Sequence, residues 1–446
     1  ALQPGTPAAA VAAVYHSPIT AAVTDLGLGV LRVDLAPGIS VESGVAGFAD
    51  LPIVAAAQPD YWVAPTAVPN DPGFAAQWGL RNAATANADV GAANGWNVTA
   101  GTGNTVVAVI DSGVDYTHPD LAGNLWRNPG EVAGNGVDDD RNGFVDDVFG
   151  ADYANWDGDP MDTYGHGTHV AGIIGAVGNN GVGVSGVAWK TRVMALKFMN
   201  DANGGYTSNA VLALNYAVGY GARVVNLSWG SPTSADPALA AAIGRARAAG
   251  VVVVAAAGNA AANNDATLFY PSGYAVGWDN VVAVAATDQT DRLAYFSNYG
   301  PRTVLVAAPG VNVYSTLPGG GYGYKSGTSM ATPFVAGALA VLWDAHPEWT
   351  YLQVLSKLSA SVDVLPGLSG AVATGGRVDL GKLLDAPTSP PVVPPVSPPA
   401  VPPVSPSPST DATGPRVTTG GFSGSKAGTF DRVAVTFSEP ILASTL

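Results

Sequence analysis

The chain has 446 residues, enough for one large domain with smaller attachments rather than one compact unit. Charged residues make up only 12%, the formal net charge is −15 and there is no cysteine. That balance excludes a disulfide framework, a thiolate site and the basic face that nucleic acid requires. No apolar run reaches the roughly 18 residues that a membrane span takes.

Residues 1–66 contain "LGVLRVDL" and "DLPIVAAAQPDYWVAP", which read as a small α+β segment. The opening "ALQPGTPAAA" is not a basic stretch followed by an apolar core, so it does not read as a secretory leader. From 67 to 386 the pattern changes. "TVVAVID" (105–111), "RVMALKFM" (192–199), "RVVNLSW" (223–229), "VVVVAAAGN" (251–259) and "NVVAVAATD" (280–288) are continuously apolar. Strands read this way when both faces are covered in a parallel sheet. Helical stretches near 165–177, 207–219 and 236–249 alternate with them, so the class is α/β with a doubly wound, mostly parallel sheet. A Pro/Ser/Val tract within residues 387–412 predicts an extended linker. Residues 413–446 carry two short strand signals around a Gly-rich turn, the start of an incomplete Ig-like β-domain.

In open α/β sheets, sites form beyond the carboxyl ends of strands, where Asp111, Ser228 and Asn259 fall. The chain has five histidines. Of these, His166 in "YGHGTHVAGIIG" opens a helix and projects toward that face, and His169 is expected to point the same way. His118, in a turn, and His346, before Pro347, read as structural. A buried Asp111 is either a loop cap or the partner of a histidine N–H. Ser329 in "SGTSMATPFVAGALA" is either a helix cap or a nucleophile at the positive end of a helix. Pro333 is expected in the first turn of that helix, with Ala336, Gly337, Ala338 and Ala340 allowing close packing. Asn259 ends a strand where its amide can donate to a developing oxyanion. Singly these signals are weak; together they supply a base, its orienter, a nucleophile and an oxyanion donor.

"VIDSGVDYTHPDL", "GHGTHVAGIIG", "NLSWGS", "AAAGN" and "SGTSMATPFVAGALA" resemble, in order, the motifs of the subtilisin-like serine proteases, across residues 70–385. The resemblance implies a three-layer subtilisin-like fold and a secreted or cell-surface endopeptidase of broad specificity. Asp111 would orient, His166 act as base, Ser329 as nucleophile and Asn259 as oxyanion donor. Protein or peptide substrates would lie along Ser228, Trp229 and Gly230 and along Ala256 and Gly258. Trp229 either narrows a side-chain pocket or packs in the core. Residues 1–66 resemble the end of a family propeptide, which would act as the enzyme's own inhibitor. A noncatalytic adhesion scaffold and an acid-active sedolisin-like peptidase are the rival readings; the intact histidine motif speaks against the second.

"NGVDDDRNGFVDD" places Asp138, Asp140 and Asn142 at alternate positions, then Asp146, like the first half of a calcium loop. The alternative is a solvated acidic turn. Resemblance implies a second structural calcium site made by Asp71, Asp120, Asn180 and the carbonyls of Gly178, Val182 and Val184.

Overall fold

The alternating N-terminal runs pair as half-exposed strands do. In a computed structural model of the protein, Thr20–Gly27 (β1) and Val30–Leu35 (β2) form an antiparallel pair, followed by helix Val41–Ala49 (α1). The Ser40 side chain caps that helix by accepting from Ser43 N. These elements lie in a unit spanning Ala1–Pro65, and Thr66–Leu446 form another. The structure describes residues 2–3, 6, 12, 14–58, 67–200, 204–232, 235–385, 417–424 and 430–437. The expected linker, 387–412, lies outside them. Val417–Gly424 and Phe430–Phe437 pair antiparallel.

The five continuously apolar runs become strands Val106–Asp111 (β3), Arg192–Lys197 (β5), Val224–Leu227 (β6), Val252–Ala256 (β7) and Val281–Thr287 (β8), joined by Gly150–Asp152 (β4) and Val306–Pro309 (β9). Val313–Leu317 (β10) and Gly321–Lys325 (β11) make a separate hairpin, and Val362–Val364 (β12) and Gly376–Val378 (β13) close one edge. The nine-stranded sheet has the order β12-β13-β9-β8-β7-β6-β3-β5-β4, parallel except between β12 and β13. After β3 the chain adds strands on one side, then crosses to β6 on the other. This reversal opens a crevice at the carboxyl ends of β3 and β6.

Alternation along β3 explains the three layers. Val107 and Val109 face helices His166–Gly175 (α2) and Thr328–Ala345 (α5), while Val106, Ala108 and Ile110 face helices Thr207–Gly219 (α3) and Pro237–Ala248 (α4). Both faces are thus covered, as strands without polar residues require. Helix α5 runs buried over nearly its whole length, and small residues let its neighbours close in. A Cβ on Gly337 would stand 2.8 Å from Val187 Cβ and 3.0 Å from the carbonyl oxygen of Ile174 in α2.

Pro333 sits in the second turn of α5, not the first, because the helix begins at Thr328. The missing N–H therefore leaves the carbonyl of Ser329, four residues back, without its helical donor. Ser228 Oγ supplies that bond at 2.8 Å. No helix of the described residues is long and apolar enough to cross a membrane.

Forcing a branched side chain between α5 and α2 tests how rigid this packing is. Gly337→Val is expected to cost about 1–3 kcal/mol by overpacking, read as a lower thermal midpoint; an unchanged midpoint would mean that the helices separate freely.

Candidate active site

Asp111 is the last residue of β3 and is wholly buried. A buried carboxylate costs several kcal/mol unless it is paired, and Asp111 Oδ1 has two partners: His166 Nδ1 at 2.7 Å and Ser112 N at 2.8 Å. Because a carboxylate only accepts, the ring proton sits on Nδ1 and leaves Nε2 as an acceptor. Burial by itself would lower the His166 pKa, but the charge and hydrogen bond of Asp111 outweigh it and raise the pKa above the ordinary 6.5.

The start of α2 is held against β3 by groups that sequence reasoning missed. Gly165, with φ of +86°, turns the chain into the helix, and a Cβ on Gly167 would collide with the carbonyl oxygen of Gly113. Asp162 accepts from Gly165 N at 2.8 Å, Thr168 N at 2.9 Å and Thr168 Oγ1 at 2.6 Å. Ser112 Oγ donates to Asp162 at 3.0 Å and accepts from Gly167 N at 2.9 Å. The signal was available: an Asp just ahead of a Gly-rich helix start is a capping pattern. His169 does not share the direction of His166. It is fully buried, its Nε2 lies 3.1 Å from the carbonyls of Val313 and Gly323, and burial pushes its pKa down to about 3. A neutral ring donating to the β10–β11 hairpin is a strut. His118 does the same to Gly321 O at 3.1 Å, and His346 stacks on Trp349.

Ser329 is the second residue of α5, where backbone N–H groups have no helical acceptor. Its hydroxyl donates to the carbonyl of Ser228 at 2.9 Å, and Ser228 Oγ returns a bond to the carbonyl of Ser329. Asn226 Nδ2 in turn donates to Ser228 Oγ at 2.9 Å. Asn259 is oriented by Thr328: the backbone N of Thr328 can only donate, so the amide atom 2.8 Å away is Oδ1. Asn259 is exposed, and its Oδ1 also lies 2.9 Å from Thr328 Oγ1. His166, Ser228, Trp229, Gly230, Ala256, Gly258, Asn259 and Ser329 all line one cavity of about 390 Å³. Trp229 lines that cavity, and its indole N–H donates to Ile110 O at 2.9 Å while its ring packs 4.7 Å from Phe198.

The two acidic regions lie away from this cavity. In the first, the carboxylates that come together are Glu131, Asp140 and Asp147, within 4.8 Å of one another. Of the four expected ligands, Asp140 belongs to this group and Asn142 Nδ2 donates to Asp140 and Asp147. Asp138 and Asp146 instead hold backbone amides, Asn142 and Gly143 for the former and Gly134 to Gly136 for the latter. Short acidic side chains in a turn-rich loop satisfy the nearest N–H groups first. In the second region, Asp71 accepts from the amides of Asn179, Asn180 and Gly181, and Asp120 from Val184 N and Asn180 Nδ2. Gly178 and Val182 lie on the same loop after α2. Burial, together with the charge of Asp71, raises the Asp120 pKa.

Residues 102–371 match the model of the Subtilase family. The chain is 39% identical over 341 residues to the Thermophilic serine proteinase of Bacillus sp. (strain AK1), covering 76% of this chain and 75% of that protein. It is 37% identical over 292 residues to Subtilisin-like protease 1 of Plasmodium vivax, covering 62% of this chain but only 46% of the relative. Among solved structures, a protease from Pseudoalteromonas arctica PAMC 21717 aligns with TM-score 0.59 and 30% identity, covering 71% of this chain and 99% of that one.

A titration of the His166 ring by NMR is expected to report a midpoint above 6.5, and Asp111→Asn is expected to move it down, since the raising charge is gone. A midpoint unchanged by that substitution would mean that Asp111 does not govern the ring.

Proposed function

Since the chain belongs to the subtilase family of serine peptidases, we propose that Asp111, His166 and Ser329 carry out peptide-bond hydrolysis, with Asn259 as oxyanion donor. The observation that supports this reading most is the 2.7 Å bond between His166 Nδ1 and buried Asp111 in a cavity that also contains Ser329. In the resting state the Ser329 hydroxyl points to Ser228 O rather than to His166. Rotation about its Cα–Cβ bond brings it to His166 Nε2 when substrate arrives, as apo geometries of such pairs often require.

Ser329 Oγ attacks the substrate carbonyl while His166 Nε2 takes the hydroxyl proton. Asp111 stabilises the resulting imidazolium without itself taking up a proton. The oxyanion receives Asn259 Nδ2 and the free N–H of Ser329. His166 then protonates the leaving amine, and water, deprotonated by the same ring, releases the acyl group and restores Ser329. Segments 228–230 and 256–258, at the ends of adjacent parallel strands, offer backbone groups to an extended peptide, a mode tolerant of sequence.

We propose calcium as a structural ion at both acidic regions. Glu131 Oε2 is buried without a hydrogen-bond partner beside Asp140 and Asp147, and fully buried Asp120 faces the charge of Asp71. Oxygen-rich, cation-poor groupings of this kind fit a hard divalent ion. Asn180 and the carbonyls of Gly178, Val182 and Val184 would complete the second set. The ion would neutralise these charges and tie down the loops; no catalytic step depends on it.

A fluorophosphonate probe is expected to label Ser329 and to leave Ser329→Ala untouched; an unlabelled parent would support a noncatalytic scaffold. Asn259→Ala is expected to lose about 10²–10³ in kcat with its thermal midpoint retained, and full activity would remove Asn259 from the oxyanion site. EDTA is expected to lower the thermal midpoint and added Ca²⁺ to restore it; indifference to both would reject structural calcium.

A further inference from the structure

Strand β6 reads Val-Val-Asn-Leu, and every residue of it is buried. Asn226 stands in register with Val109 on one side and Val254 on the other, both in the apolar cluster that packs against α5. An amide in such a place is unfavourable unless it is hydrogen-bonded. Asn226 is wholly buried and satisfies only one end of its amide: Oδ1 has no hydrogen-bond partner among the described residues, whereas Nδ2 donates to Ser228 Oγ at 2.9 Å. It is not among the residues that line the cavity, so peptide binding does not call for it.

The sense of the bonds that lead on from Asn226 is fixed. The carbonyl of Ser329 only accepts, so the one hydrogen of the Ser228 hydroxyl is committed to it at 2.8 Å. Ser228 Oγ then has only lone pairs to offer, and the amide atom that meets it must be the donor, Nδ2. Asn226 thereby holds the Ser228 hydroxyl in the rotation that serves Ser329, and two buried bonds in series reinforce each other. The Ser329 carbonyl depends on this donor because Pro333 has no N–H to give it. The other bond between these residues, from Ser329 Oγ to Ser228 O at 2.9 Å, has to be given up when the hydroxyl turns to His166. The carbonyl bond is the one kept during attack.

We propose that Asn226 is a positioning residue for peptide hydrolysis: through the Ser228 hydroxyl it fixes the Ser329 carbonyl, and with it the start of α5, while the Ser329 side chain moves. The inference rests on the reading of Ser329 as nucleophile. The Oγ that attacks and the N–H that meets the oxyanion belong to the residue whose carbonyl is held, so a small rotation of that residue displaces both. A misplacement of about 1 Å can cost roughly 10²-fold in rate. Since Asn226 does not line the cavity, its loss falls on kcat rather than on KM.

The test measures kcat and KM of the full chain on one tetrapeptide anilide. Asn226→Leu deletes the donor at nearly the same volume. It is expected to lose roughly 10–100-fold in kcat with KM within a few-fold and the thermal midpoint retained, since an apolar side chain replaces a half-bonded buried amide. Asn226→Ala is expected to lose kcat alike, at a lower midpoint. The decisive comparison uses Pro333→Ala, which returns to the Ser329 carbonyl the helical N–H that proline lacks. In that background either substitution at 226 is expected to cost only a few-fold in kcat, a coupling that the double-mutant cycle reads directly, whereas a packing defect would cost the same in both backgrounds. Failure of both variants to fold, unchanged kcat in both, a change in KM alone, or a loss equally large with and without Pro333 overturns the proposal and leaves the triad reading standing. A parent that hydrolyses nothing and takes no fluorophosphonate adduct on Ser329 overturns both.

Discussion

The hydrogen bond between Asp111 and His166 is the interaction around which this domain is arranged. It joins the end of a buried strand to the first residue of a buried helix, 55 positions apart in sequence, and it does so in a setting with little water to screen charge. A carboxylate there is tolerable only with partners. Much of the surrounding chain exists to supply and orient them: Gly167 lets α2 approach β3, and Ser112, Asp162 and Thr168 anchor the helix start. The same bond sets the protonation of the ring. With the proton on Nδ1, Nε2 faces the cleft ready to accept.

Ser329 is positioned with comparable rigidity by different means. Helix α5 is threaded through the centre of the domain, so its first turn cannot shift without moving the core. Thr328 is held by Asn259 and Gly258, at 2.8 and 3.1 Å. Ser329 is bracketed by Ser228, whose hydroxyl replaces the helical donor that Pro333 lacks. A proline that would weaken an ordinary helix here frees a carbonyl for a contact with Ser228, the residue just after β6. The hairpin β10–β11, which leads into α5, is tied to α2 through His169 and to the loop after β3 through His118. His166 and Ser329 are therefore parts of one packed assembly, although their own side chains are not hydrogen-bonded to each other.

Charge is distributed with the same separation of tasks. The cavity carries few titratable groups besides His166 and Asp236, whereas carboxylates gather in two loops remote from it. Burial raises the pKa values of Asp120 and Asp147, because it disfavours the charged carboxylate. Around Asp111, His166 and Ser329, the buried side-chain atoms without a hydrogen-bond partner among the described residues are Asp111 Oδ2 and Asn226 Oδ1.

The local features were legible in the linear chain. Continuous apolar runs announced buried parallel strands, Ala- and Gly-rich stretches announced close-packed helices, and the residue types at the strand ends announced a hydrolytic site, because each depends only on neighbours in sequence. The α/β class and the order of elements followed from the same information. What tertiary structure decided was which of several chemically competent groups meet. It separated His166 from His169, which the three-residue spacing made look alike. It moved Pro333 into the second turn and paired Ser329 with Ser228, 101 positions away. It brought Glu131 and Asp147 to Asp140 while Asp138 and Asp146 turned to nearby amides. Such contacts depend on how layers stack and how closely backbones approach, and a residue's own neighbours in the chain carry no record of that.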